Sequence, residues 1–272
     1  MDQLTRPILL LTDFGLRDHY SGQVKSVLHA LAPGSTVIDI THGVRKYDVA
    51  EGAWMLETAL AAAPPDAVIL AVVDPGVGSA RKAICVEPGG RSFIGPDNGL
   101  LSCAFDDEQR RSGVLAGEHS GVAVYELSNR RFQRPEVSHT FHGRDIFAPA
   151  AAARATGAPA AELGPVLDTA VMLPLFEGAA AADGSITGEV IHVDSYGNLV
   201  TTIRETQLPA DYVVEVGDAT IEGRSRFFSD AARGDLLTHV DSSGFMAIAA
   251  NLGNASDELG VARGAPVTVR SR

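Results

Sequence analysis

The chain has 272 residues, 45% of them hydrophobic, and a formal net charge of −12, enough to bury a substantial core in one large domain or two unequal ones without disulfides. That charge argues against DNA or RNA as the main partner, because phosphate binding needs a basic face. The two cysteines, Cys85 and Cys103, lack metal-ligand spacing, no apolar run approaches membrane-spanning length and no leader pattern opens the sequence, so a cytoplasmic protein with no membrane partner is expected.

Pro7 to Thr12 is a short apolar run ending in Asp13-Phe14-Gly15, which reads as a buried strand and an acidic turn. Val24, Val27, Leu28 and Leu31 recur at helical spacing before Ala32-Pro33-Gly34 stops the helix. Thr36 to Ile40 is strand-like and leads through Thr41-His42-Gly43 to a loop at Tyr47-Asp48. Val49 to Ala63 reads as a second helix, and the β-branched run from Val68 empties into Asp74-Pro75-Gly76-Val77-Gly78. Strand, helix, strand, helix, strand builds a parallel sheet with right-handed crossovers. Ligands collect outside the carboxyl ends of such strands, the edge along which Asp13, His42 and Asp74 fall. Arg81 stands across a two-glycine loop that lets its guanidinium fold back toward the Asp74 carboxylate. Each residue also has a plain use: Asp13 as a helix cap, His42 as a turn residue, Asp74 and Arg81 as a surface pair.

After Arg81, Ala83 to Val86 and Arg91 to Ile94 read as a hairpin across Pro88-Gly89-Gly90. Gly95 to Gly99 is turn-rich, with an Asn98 amide that could face a ligand, and Asp106 to Gly121 reads as exposed irregular chain. Ser138 to Asp145 is the second concentration of ionisable groups. Phe147 to Ala155 should be a helix, placing His142 just before a helix start, where the imidazole stays neutral. There His142 could accept a proton or merely cap backbone groups, and Arg144 and Asp145 could form a local pair. Gly178 to Gly188 is rich in small residues and marks a boundary, giving domains 1–183 and 184–272. Beyond it, Glu189–Val193, Leu199–Ile203, Tyr212–Val216, Leu236–Val240, Phe245–Ala249 and Pro266–Val269 alternate with turns, the pattern of a small all-β barrel or sandwich without helices.

Taken together, TDFGLRDHYSG, DVAEGA, VVDPGVGSAR, GPDNGLL, FHGRD, DSYGN and DSSGFMAIAANLGNA resemble the S-adenosylmethionine hydrolase family, the hydroxide adenosyltransferases related to fluorinase and chlorinase. The resemblance implies a Rossmann-like N-terminal α/β domain, a C-terminal β-barrel-like domain, and a homotrimer with active sites at subunit interfaces. It places a water-activating set on Asp74, Arg81 and His142, where halogenating relatives carry tyrosine and serine at the first and last. By the same resemblance Asp13 holds the ribose hydroxyls and Tyr47 packs beside the sugar. Asp194 and Ser242 receive the methionine ammonium, Tyr196 and Asn198 lie against adenine, and Asn251 lies near it. The implied reaction is hydrolysis of S-adenosyl-L-methionine to adenosine and L-methionine by in-line attack of water on ribose C5′. The sulfonium is its own leaving group, so no metal or other cofactor is expected. Halide attack at the same carbon is the nearest alternative, opposed by the Asp74 charge. A non-catalytic S-adenosylmethionine or adenosine sensor is another. A metal hydrolase on Asp74 and His142 lacks a third ligand with convincing spacing.

Overall fold

The first apolar runs become strands β1 (Ile8–Thr12), β2 (Val37–Thr41) and β3 (Val68–Val72), joined through helices α1 (Tyr20–Leu31) and α2 (Val49–Ala59). The computed structural model describes residues 5–113 and 121–272, and the chain divides into two units, Met1–Leu175 and Phe176–Arg272. In the first unit β4 (Ala83–Pro88) and β5 (Ser92–Pro96) form the expected hairpin, followed by α3 (Asp107–Ser112), β6 (Val122–Glu126) and α4 (Ala148–Ala155). The sheet runs β2-β1-β3-β5-β4-β6. Its β1–β2, β1–β3 and β3–β5 pairs are parallel, and β4 is antiparallel to both neighbours. Every residue of β1 and β3 is buried, which is why these strands read as unbroken apolar runs rather than as alternations. Ile8, Leu10 and Leu70 pack with Val24 and Leu28 of α1 and Ala151 of α4. On the other face Leu9, Leu11 and Ile69 pack with Leu56 of α2 and Leu100. The sheet is thus covered on both faces, and the carboxyl ends of its parallel strands are left to carry polar groups.

Two expectations for this unit change. The stretch from Asp106 to Gly121 contains α3 where irregular chain was expected. The Asp106 carboxylate accepts from the Gln109 amide, Gln109 returns the bond to the Asp106 amide, and Gly113 ends the helix at φ +68°, a reciprocal cap that Asp-x-x-Gln encodes. The remainder of that expected loop, 114–120, lies outside the described residues. The helix after His142 is also preceded by a π-helical turn, Gly143–Phe147.

In the second unit β7 (Ala179–Ala180), β8 (Ile186–Val193), β9 (Leu199–Arg204), β10 (Tyr212–Val216), β11 (Ala219–Glu222), β12 (Leu236–Val240), β13 (Phe245–Ala250) and β14 (Pro266–Ser271) form one sheet. Its order is β11-β10-β14-β8-β9-β13-β12, with β7 on β8. The Ser225 amide donates to the Thr238 carbonyl at 2.8 Å, so chain leaving one end strand bonds the other and the antiparallel sheet nearly closes as a barrel. Val190, Leu199, Tyr212, Met246 and Ile248 fill it. Strand β11 and the short helix α5 (Ala255–Leu259) add to the expected strands. The division falls ahead of the expected Gly184 boundary because β7 pairs with β8; Gly184, at φ +80°, turns the chain between them.

Two glycines separate packing from propensity. A Cβ on Gly95 of β5 would lie 2.4 Å from the Ala71 carbonyl oxygen, whereas one on Gly22 of α1 meets nothing within 4 Å. Gly95→Ala should therefore lower stability by about 1–3 kcal/mol through overpacking, and Gly22→Ala should raise it by about 0.5–1 kcal/mol. Urea midpoints of the two variants, which should move in opposite directions, check both.

Candidate active site

Each parallel strand of the first unit delivers polar groups to the same edge. Thr12, the last residue of β1, shares a 2.7 Å hydrogen bond with His42 Nδ1, joining the ends of β1 and β2. His42 is buried, and burial depresses its pKa despite the nearby Asp39 carboxylate; it serves the architecture. Asp13 Oδ2 accepts from the Tyr47 amide at 2.9 Å. That bond holds Tyr47 at φ +67°, a conformation that an aromatic residue rarely adopts, with its side chain largely exposed. Burial raises the Asp13 pKa against the opposing Tyr47 hydrogen bond. Beyond β3, the Asn98 side-chain amide donates to the Val73 carbonyl at 2.9 Å and its oxygen accepts from the Leu100 amide. Its amide thus braces the chain next to Asp74.

Asp74 and Arg81 meet as the loop between them allows. Arg81 Nε donates to Asp74 Oδ1 at 2.9 Å, and Arg81 Nη2 donates to Asp74 Oδ2 in a very short contact. The same Nη2 lies 2.8 Å from His142 Nδ1. The two side chains of the ion pair are only 6% (Asp74) and 11% (Arg81) exposed, so this is a buried fork and not the solvated pair of the plain reading. The loop is docked at Gly78, where φ is +78° and a Cβ would fall 2.6 Å from the His139 carbonyl oxygen. The guanidinium also lies 5.2 Å from the centre of the Phe147 ring.

A guanidinium nitrogen can only donate. His142 Nδ1 must therefore accept, and a neutral ring in that position carries its proton on Nε2. Burial and then the Arg81 charge lower the His142 pKa, with Asp74 and Asp145 pulling the other way. The result is a neutral imidazole whose free edge is a donor.

Asp13, Tyr47, Asp74 and His142 line one cavity of about 430 Å³, within the range that holds a small-molecule ligand. Arg81 sits behind this lining and ties two of its groups together. Much of the wall is aromatic. Phe14, Tyr20 and Phe141 meet at ring-centre distances of 5.3–6.1 Å. Lys46, Gln23 and Arg144 also face the cavity. None of these was singled out as a site residue from the sequence. Phe14, Tyr20, Phe141 and Arg144 sit inside the motifs quoted above and are the legible ones; Lys46 and Gln23 lie outside them, Gln23 on the polar face of α1.

The other sequence-predicted residues lie in the second unit. Asp194 Oδ1 accepts from the Tyr196 and Asn198 amides, each at 2.9 Å, and Oδ2 accepts from Asn198 Nδ2 at 2.8 Å. Tyr196 is 77% exposed. A Cβ on Gly197 would fall 2.0 Å from Asn254 Oδ1, which sets the β8–β9 turn against the chain that follows Asn251. The Asn251 side chain donates to the Ala231 carbonyl at 2.8 Å. Ser242 is exposed in the β12–β13 turn, where Asp241 accepts from the Ser243 and Phe245 amides.

Residues 8–164 match the family model of the SAM hydroxide adenosyltransferase N-terminal domain, and residues 188–268 that of its C-terminal domain. A relative from Salinispora tropica, an (R)-S-adenosyl-L-methionine hydrolase, is 44% identical over 94% of this chain and 95% of its own length. The enzyme of the same name from Thermus thermophilus is 38% identical over 96% and 98%. Fluorinases match at lower identity. A crystal structure of a Thermotoga maritima protein superposes with a TM-score of 0.84 at 35% identity, covering 97% of this chain and all of that one.

The lowered pKa values of His42 and His142 set a pH dependence. The unfolded chain takes up these protons near the ordinary histidine value of about 6.5, whereas the folded chain resists them to lower pH. The unfolded state then binds more protons, so this stability is complete above about pH 6.5 and is lost as pH falls through the folded values. Asp13 and Asp97, both raised by burial, act oppositely at lower, carboxylate pH. Urea midpoints should decline from pH 7 toward the folded histidine values, and His142→Gln should flatten part of that slope.

Proposed function

Since the chain belongs to the SAM hydroxide adenosyltransferase family, we propose that it hydrolyses S-adenosyl-L-methionine to adenosine and L-methionine, with Asp74, Arg81 and His142 handling the attacking water. The observation that carries this reading is the bridge from one guanidinium to both the Asp74 carboxylate and His142 Nδ1, beside a cavity sized for a small molecule. The sulfonium already makes ribose C5′ electrophilic, and methionine departs as a neutral thioether. What the protein must supply is one oriented water and exclusion of its competitors.

The hydrogen-bond directions favour Asp74 over His142 as the group that takes the proton. His142 Nδ1 is taken by Arg81, so the ring offers Nε2–H to the water oxygen and has no lone pair free to act as a base. Asp74 keeps unused lone pairs after accepting from Arg81 and takes the proton as the C5′–O bond forms and the bound water acidifies. The C5′–S bond breaks with its electron pair going to sulfur, with inversion at C5′. One proton is left over, and it passes from Asp74 to solvent. Arg81 orients the Asp74 carboxylate and holds His142 in one tautomer without touching the reacting atoms. No step calls for a metal or a redox cofactor.

Asp13 and Tyr47 belong to the same reading as the ribose contacts, the carboxylate accepting from the sugar hydroxyls beside an exposed ring. Asp194 and Ser242 as ammonium ligands, and Tyr196, Asn198 and Asn251 around adenine, rest on the family resemblance, as does the homotrimer; a cytoplasmic location fits the two free cysteines, Cys85 and Cys103. Asp194 already accepts three hydrogen bonds, so an ammonium would take its remaining acceptor capacity. Among the described residues no helix is long and apolar enough to cross a membrane.

The test is incubation with S-adenosylmethionine in halide-free, chelator-containing buffer made with ¹⁸O-water. Adenosine carrying the label at its 5′-hydroxyl, together with methionine, is expected from the native enzyme, with a rate loss of about 10²-fold or more in Asp74→Asn. A 5′-haloadenosine formed only when chloride or fluoride is restored would reassign the nucleophile. Tight binding without turnover would make the protein a sensor.

A further inference from the structure

The carboxylate of Asp145 has no place in the chemistry above, yet several charged and polar groups converge on it. Its side chain is completely buried. Arg144 Nε and Nη2 donate to its two oxygens at 2.7 and 2.9 Å, and the Ser138 amide donates to Oδ2 at 2.9 Å. Arg134 contributes both a charged contact at 3.6 Å and a main-chain hydrogen bond to the Asp145 carbonyl. Burial alone would push this carboxyl up, but the Arg144 bonds, the Ser138 amide and the neighbouring arginines hold it below the usual carboxylate range.

These bonds have a geometric effect. The Ser138–Asp145 bond closes the segment between them into a loop, and His142 lies within that loop. One limb carries the His139 carbonyl, which abuts Gly78 of the Arg81 loop. The other carries Arg144, whose Nη1 donates to Gln23 of α1 at 2.9 Å and whose guanidinium stacks 5.0 Å from the Phe141 ring centre. The π-helical turn begins directly after His142 and presents Asp145 to both limbs at once; such turns often mark functional positions. Gly143 fits because even a Cβ there would sit 3.2 Å from Phe14.

We infer that Asp145 is a positioning residue for the reaction proposed above: its buried carboxylate fixes the loop from Ser138 so that His142 Nδ1 meets Arg81 and Nε2–H faces the cavity. A carboxylate suits the task because two arginine donors and one amide must be accepted from one buried point, which the single carbonyl oxygen of an asparagine cannot do.

The inference rests on the hydrolase reading, and its test separates the two. Asp145→Asn is compared with the native enzyme by steady-state hydrolysis of S-adenosylmethionine, corrected for folded fraction by thermal melting. In parallel, the ¹⁵N NMR spectrum of the His142 ring is recorded. Displacing His142 should lower kcat by about 10²-fold while KM moves by less than about threefold, and the signature of an accepting Nδ1 should weaken in the folded variant. A folded Asp145→Asn protein with native kcat and a native His142 spectrum would overturn the inference, since it would show a purely structural ion pair. If that variant does not fold, Arg144→Gln removes the same fork from its more exposed side; it should shift the His142 spectrum in the same direction, and a native spectrum there would equally overturn the inference. The ring spectrum needs no turnover, so a native protein without hydrolase activity would defeat the reading of function and leave the test of Asp145 intact.

Discussion

One guanidinium holds the site together. Arg81 donates to both oxygens of Asp74 and to Nδ1 of His142, so a single rigid plane orients a carboxylate from the end of one strand and an imidazole from the start of a π-helical turn. Lysine could not do this, because a point charge on a flexible stem lacks the fixed fork. Removing either charge of such a buried pair typically costs about 3–5 kcal/mol, much of it the uncompensated charge left behind. The surroundings answer that demand. The parallel sheet is buried on both faces and fixes the strand end. Gly78 lets the loop dock on the His139 carbonyl, and Phe147 covers the guanidinium.

The parts of this arrangement legible in the sequence were those written in local chemistry. Apolar runs ending at Asp13 and Asp74 gave the strands and the edge, and two glycines before Arg81 gave the return of its side chain. The helix α3 was also local, since Asp106 and Gln109 spell its cap, but its polar composition pointed to loop. What could not be read was set by tertiary contacts. Asn98 has two readings, turn residue and ligand amide, until it is found on the Val73 carbonyl, whereas His42 keeps the hydrogen-bonded role expected of it through Thr12. Asp145 stands next to Arg144 in the chain and reads as a local pair; that it also reaches Ser138 and Arg134 depends on the π-helical turn, for which the sequence has no simple signal. The aromatic wall joins Phe14, Tyr20 and Phe141 from two distant segments, and periodicity does not report such meetings.

The second unit shows the same division. Its strands follow the alternation of apolar runs and turns, whereas β11 and α5 are too short to stand out by pattern. Asp194 and Asp241 each precede a Ser-x-Gly turn and spend their carboxylates on backbone amides. These residues shape their turns before they can hold a ligand. Asn251 is committed to the Ala231 carbonyl in the same way, so its side chain frames the loop from Ala231. Substituting Asp194 or Asn251 therefore disturbs a turn as well as any contact with a ligand.

The central claim is that Asp74, Arg81 and His142 act as one unit on one water molecule. A double-mutant cycle on kcat/KM for S-adenosylmethionine, using Asp74→Asn, His142→Gln and the combined variant, tests it most directly. Groups that act as a unit are non-additive, so the combined variant should be about as slow as the slower single variant. Losses that simply multiply would mean that the carboxylate and the imidazole contribute independently, and would contradict a site organised around the Arg81 bridge.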